Sequence, residues 1–131
     1  MGQPAATLGD TIEATDTHIV LVIEGAAEVE TPEELPFNGI IDSACSETVF
    51  IDGKPAATIG SGASNDPPHI PVGGPFQIPP SNHGTIIGGS TSVLINGKGA
   101  ARAGDEALTC NDPAPEPRGR VAAESSVLVG T

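Results

Sequence analysis

The sequence predicts an all-β domain made from about three copies of one unit. Three observations carry this. The phrase Thr91–Asp105 (TSVLINGKGAARAGD) recurs as Thr48–Ser61 (TVFIDGKPAATIGS). Its second half opens the chain as Gln3–Asp10 (QPAATLGD), and its first half closes it as Ser125–Gly130 (SSVLVG). A phrase that returns in this way marks a repeat architecture. Next, two β-prone runs end in Asp52-Gly53 and Asn96-Gly97, which are strong hairpin signals. Last, the apolar residues sit in strand-length runs between turn residues, and no helical periodicity appears.

Composition narrows the class. The chain has 131 residues, which suits one domain, residues 1–131. Glycine (17) and proline (13) are abundant, but the repeat and the clustered apolar runs argue against disorder. Trp and Tyr are absent and Phe occurs three times, so the core must be built from Val, Ile, Leu and Ala. The formal charge of −12 excludes nucleic acid and anionic membrane surfaces as electrostatic partners. No apolar run approaches the ~20 residues needed to span a bilayer. The N-terminus carries no secretory signal pattern, so synthesis in the cytoplasm is expected. Two cysteines in such a chain read as reduced thiols or metal ligands more readily than as a disulfide.

Along the chain, Met1–Asp10 is an entry segment, with turn chemistry at Gly9-Asp10. Thr11–Thr17 is polar, and a strand is predicted over His18–Ile23. Residues 24–36 (EGAAEVETPEELP) form the most acidic stretch and the one least like the repeat. The sequence predicts a surface insertion there, with a helical turn at Pro32–Leu35. Short strands are predicted at Ile40–Ile41 and Thr48–Ile51, and Ser61–Pro80 reads as a long Pro/Gly-rich loop. His83–Ile95 opens the third copy. Cys110–Arg120 is a proline-rich connector, and residues 121–131 supply the last strand or two. The paired alanines Ala5-Ala6, Ala56-Ala57 and Ala100-Ala101 predict tight corners where larger side chains would collide with neighbouring copies.

The phrases Pro4–Thr7, Pro55–Thr58 and Gly99–Arg102 resemble the proline-alanine-alanine-arginine repeat of PAAR proteins. So do His69–Ile86 and Thr109–Pro113. None of the three copies is a full PAAR: two end in Thr and the third begins with Gly. The resemblance implies a cone-shaped domain with pseudo-three-fold symmetry that caps the trimeric spike of a contractile injection system, such as type VI secretion. It implies one tip per VgrG-like or phage-like trimer, transient contact with a target membrane, delivery outside the cell or into a target cell, and effector proteins carried non-covalently. The physical logic is that the end of a β-helix exposes strand edges, which are adhesive unless covered.

The repeat register also orders the three histidines. His18 follows Gly9 at the interval at which His69 follows Gly60, and in the third copy the first candidate ligand after Gly104 is Cys110. His83 is an extra candidate in the third copy, where the second has Asn38. Three imidazoles and one thiolate suit tetrahedral zinc. Ligands from three repeats would converge near the pseudo-axis, at the apex of a cone. The resemblance implies the same: one structural zinc held by His18, His69, His83 and Cys110. Cys45 lies outside this set and reads as a small buried hydrophobe. Lys54 and Lys98 read as solvated turn charges, and Arg102 as half of a surface ion pair with Asp105. The favoured function is therefore non-enzymatic. A zinc-dependent hydrolase is the alternative, because without His83 the metal would keep an open position for water.

Overall fold

The computed structural model describes residues 2–131. Six antiparallel strands close into a barrel. They are β2 (Thr11–Glu24), β3 (Ala27–Ser43), β6 (Gly62–Asn65), β7 (His83–Ile86), β10 (Glu106–Thr109) and β11 (Glu116–Ala122). Round the barrel the order is β10-β11-β2-β3-β6-β7. At one end stand three two-stranded ribbons. The first joins the chain ends, β1 (Gln3–Pro4) with β12 (Leu128–Val129); the others are β4 (Phe50–Ile51) with β5 (Lys54–Pro55), and β8 (Leu94–Ile95) with β9 (Lys98–Gly99). No helix occurs among the described residues.

The ribbons obey three-fold symmetry down to single hydrogen bonds. The Ala6 N–H donates to Ala101 C=O, Ala101 N–H to Ala57 C=O, and Ala57 N–H back to Ala6 C=O, at 2.9, 3.0 and 2.9 Å. This closed ring marks the pseudo-axis. The six paired alanines are essentially inaccessible, as the predicted collision of larger side chains requires. Ala5, Ala56 and Ala100 pack with Val129, Ile51 and Ile95 under the ribbons. Their neighbours Ala6, Ala57 and Ala101 face the barrel core, with Ile12, Phe37, Ile41, Ile86 and Val121.

The turns repeat with the same fidelity. Asp52-Gly53 and Asn96-Gly97 have positive φ at both central residues (51° and 80°, 52° and 83°), the twist that a two-residue hairpin loop needs. After each alanine pair comes a glycine with φ near 90° (Gly9, Gly60 and Gly104), a conformation that side chains with a Cβ rarely adopt. A side chain one residue later caps the turn. Asp10 accepts from Thr7 N–H, Ser61 from Thr58 N–H and Asp105 from Arg102 N–H, at 2.8, 2.9 and 2.7 Å. Arg102 and Asp105 also form the expected ion pair, at 2.8 Å.

Two expectations for the middle of the chain are overturned. The helical turn expected at Pro32–Leu35 is absent: residues 27–36 belong to β3 and pair without interruption with β2, from Glu24↔Ala27 to Thr11↔Ile40. From Thr31 to Ile41 burial alternates with period two, more buried at odd positions and exposed at even ones. The inner positions of the first half, Thr31 and Glu33, are polar, so the alternation is hidden in the sequence. Pro32 and Pro36 sit in phase with Asn38, whose backbone groups face away from β2, toward Asn65 and Asp66. On that outer edge a proline lacks no ladder bond, and it blocks pairing with another chain. The predicted loop over Ser61–Pro80 likewise begins with a strand, β6. Its later part lies along β2, with Leu21 N–H donating to Pro75 C=O and Gln77 N–H to Ile19 C=O, both at 2.8 Å.

Candidate metal centre

Strand β2 brings Asp16 and His18 to the same inner face, because side chains two apart on a strand point the same way. His69 follows the end of β6, and Cys110 follows β10. One donor atom from each of Asp16, His18, His69 and Cys110 lies within 4.8 Å of all the others. The group sits above Phe37, whose ring centroid is 6.1 Å from that of His69.

Burial defines its chemistry. Asp16 is fully buried, and its carboxylate accepts from Thr109 Oγ1 at 2.6 Å and lies 2.8 Å from His69 Nε2 and 3.5 Å from Cys110 Sγ. His69 is fixed by amides. Its N–H donates to Asn82 Oδ1 at 2.8 Å, and Asn65 Nδ2 lies 3.3 Å from its Nδ1. Burial pushes the Cys110 thiol above its ordinary value and the Asp16 carboxylate adds to this, while hydrogen bonds from the backbone of Asn82 and His83 oppose it.

His18 is the anomaly. The residue is 1% exposed, yet neither ring nitrogen has a hydrogen-bond partner. Its Nδ1 lies 3.4 Å from Asp112 Oδ1, close enough for attraction but outside hydrogen-bond geometry. Its ring is 5.0 Å from that of His69 and meets the edge of Phe76 at 5.7 Å. Unpaired buried polar atoms cost free energy and need a reason. A cation among these four donors supplies one. Two imidazoles, a thiolate and a carboxylate are all zinc ligands, and tetrahedral zinc holds its donors about 3.5 Å apart. The residues present therefore fit such an ion. A cavity of about 180 Å³, lined by His18, Cys110, Asp112, Pro79 and Pro115 among others, adjoins the group from the side.

Of the four ligands expected from the sequence, the structure brings together His18, His69 and Cys110. His83 stands apart. Its side chain is exposed on β7 and lies over Gly62, where an added Cβ would meet the imidazole Cε1 at 2.9 Å. Asp16 is the fourth member of the group instead. It escapes the sequence reading because the strand was expected to begin at His18. Had it been started at Thr11, Asp16 and His18 would have fallen on one face. The group also does not end the molecule. Strand β2 continues from Ile19 to Glu24, about 20 Å farther at strand rise, so a hairpin rather than the candidate metal centre forms the far tip. Both cysteines are free; Cys45 is only partly buried, although it packs against the core.

No curated protein matches the chain. Residues 77–130 match the family model of the PAAR motif. That span holds the third copy, Cys110 and the closing ribbon strand β12, while the long β2–β3 hairpin lies outside it. The third copy and the closing segment of the chain thus carry a PAAR motif, over residues 77–130.

Proposed function

We propose that this protein is the non-enzymatic tip of a contractile injection system, seated by its ribbon end on the three-fold end of a trimeric VgrG-like spike. One observation carries the reading. The first residue of one strand in each ribbon is a large apolar side chain turned to solvent: Phe50 at 58%, Leu94 at 60% and Leu128 at 64% exposure. Its neighbour in each case, Ile51, Ile95 or Val129, is buried. A single chain has no internal need for three equivalent exposed apolar groups around an axis. Their repetition suits a partner with true three-fold symmetry, since each spike chain can then offer the same contact. Lateral hydrogen bonds stiffen this face. Ser126 donates to Asp52 by N–H and Oγ at 2.8 and 2.6 Å, Asn96 Nδ2 donates to Thr48 Oγ1 at 3.0 Å, and the Thr131 carbonyl accepts from Ser92 N–H at 2.9 Å.

At the other end, a metal ion held by His18, His69 and Cys110 with Asp16 would tie β2 to the segments after β6 and β10. Zinc suits this donor set, and its contribution would be structural cross-linking where the apolar core has ended. Above it the β2–β3 hairpin forms the leading point presented to a membrane, and effector proteins would ride by non-covalent contact.

The test is reconstitution with the trimeric spike protein from the same genome. The wild-type chain should co-elute with the trimer, and Phe50→Asp/Leu94→Asp/Leu128→Asp should not, while keeping its thermal transition. Undiminished binding by the triple variant would move the docking face elsewhere.

A further inference from the structure

We propose that Asp112 sets the tautomer of His18, so that Nε2 is left bare toward Asp16, His69 and Cys110. The proposal rests on the reading of this group as a metal centre. A neutral imidazole carries one N–H. The ligating nitrogen must be bare, so the other must carry the proton and needs an acceptor beside it. His18 is buried at 1% exposure, and the acceptor beside its Nδ1 is Asp112 Oδ1 at 3.4 Å. Asp112 is held on both sides by β2 itself. Its Oδ2 accepts from Ile19 N–H at 2.7 Å, and its N–H donates to Thr17 C=O at 2.9 Å. The strand that carries His18 thus fixes the carboxylate that faces it. A proton on Nδ1 is attracted by Oδ1, and Nε2 is left free to ligate.

An internal comparison isolates the role. The tripeptide Asn-Asp-Pro occurs twice, as Asn65–Pro67 and Asn111–Pro113. Both asparagines do the same work. Asn65 Oδ1 accepts from Asn38 N–H at 2.8 Å, and Asn111 Oδ1 accepts from Thr17 N–H at 2.7 Å. The aspartates differ: Asp66 is exposed, whereas the Asp112 side chain is 6% exposed and turned to the ring. His69 has no such carboxylate at Nδ1, only the Asn65 amide. Asp112 is therefore a positioning residue for one ligand, and Asp66 is the matched residue without that role.

The isostere makes this testable. In Asp112→Asn the oxygen must still accept from Ile19 N–H, because an amide NH₂ cannot. The NH₂ then faces Nδ1 and donates to it, which drives the His18 proton onto Nε2, the atom meant to ligate. Asp112→Ala removes both contacts but does not impose the wrong tautomer. Zinc affinity would be measured on the full chain against a chromophoric chelator, and the His18 tautomer by long-range ¹H–¹⁵N NMR. Expected are a loss of about 10–100-fold in affinity for Asp112→Asn, at least as large as for Asp112→Ala, an Nε2–H tautomer in Asp112→Asn, and no change for Asp66→Asn. A merely structural Asp112 predicts the reverse order, with the isostere milder than alanine. That order, or wild-type affinity in Asp112→Asn, would overturn the proposal. Failure of the wild-type chain to bind zinc, cobalt or iron would instead overturn the metal reading beneath it.

Discussion

The two ends of the molecule follow different rules. At the ribbon end the framework occurs three times, from the alanine ring to the Gly9, Gly60 and Gly104 turns and the exposed Phe50, Leu94 and Leu128. At the candidate metal centre the copies diverge: Asp16 and His18 come from one segment of the chain, His69 from a second and Cys110 from a third. The change falls within two strand positions. Ile12, Ala63 and Ala107 are equivalent, fully buried and apolar; one inward step farther stand Ala14, Asn65 and Thr109. Symmetry is kept where a symmetric partner would be met, and given up where a single ion would need unlike ligands. The core between the ends must satisfy both.

That contrast can be broken at several points. The largest effect is expected at Phe37, 2% exposed, which packs in the shared core below His69. Phe37→Ala should cost about 3–5 kcal/mol in chemical denaturation and weaken both ends together. Next is Ala57→Leu, which forces bulk into the axial ring and should cost about 3 kcal/mol; its signature is faster amide exchange at Ala6 and Ala101, with metal content retained. Metal removal should act on the other end alone. A chain with free metal at 100 times its Kd should lose about 2.7 kcal/mol on chelation, with exchange quickening at Thr17 and Ile19 but not in the alanine ring.

The smallest effect concerns a single latch. Its hydrogen bonds from Ser126 hold the Asp52 carboxyl below its ordinary value. The folded chain then binds fewer protons there than the unfolded one. The latch is fully present above about pH 4 and is lost as pH falls through the lowered folded value. Ser126→Ala should flatten this acid-limb slope in a pH series of thermal transitions: above about pH 4 the transition is slightly lower than in wild type, and the difference vanishes as pH falls further.

The contrast also explains what could be read from the sequence. Repetition is visible without coordinates, so both hairpin turns, the alanine corners and the shared interval of His18 and His69 were accessible. The unrepeated parts were not. Glu33 and Thr31 are polar at half-buried positions, and Pro32 and Pro36 lie on an outer edge, so a strand carried a loop's composition. His83 looked like a ligand by its spacing, but strand alternation turns its side chain outward while Gly84 and Ile86 face in. Asp16 was hidden because a carboxylate in an acidic chain attracts no notice until burial singles it out. Asp112 needed still more, since only the path of the backbone past Ile19 shows which ring it faces.

One symmetric end would meet a symmetric partner, and one ion would sit toward the other end. Native mass spectrometry of the chain assembled with its trimeric spike tests both in one spectrum. The predicted mass is one chain and one metal ion for every three spike chains. Three chains per trimer, or a complex that forms equally well with the Phe50, Leu94 and Leu128 face substituted, would contradict it.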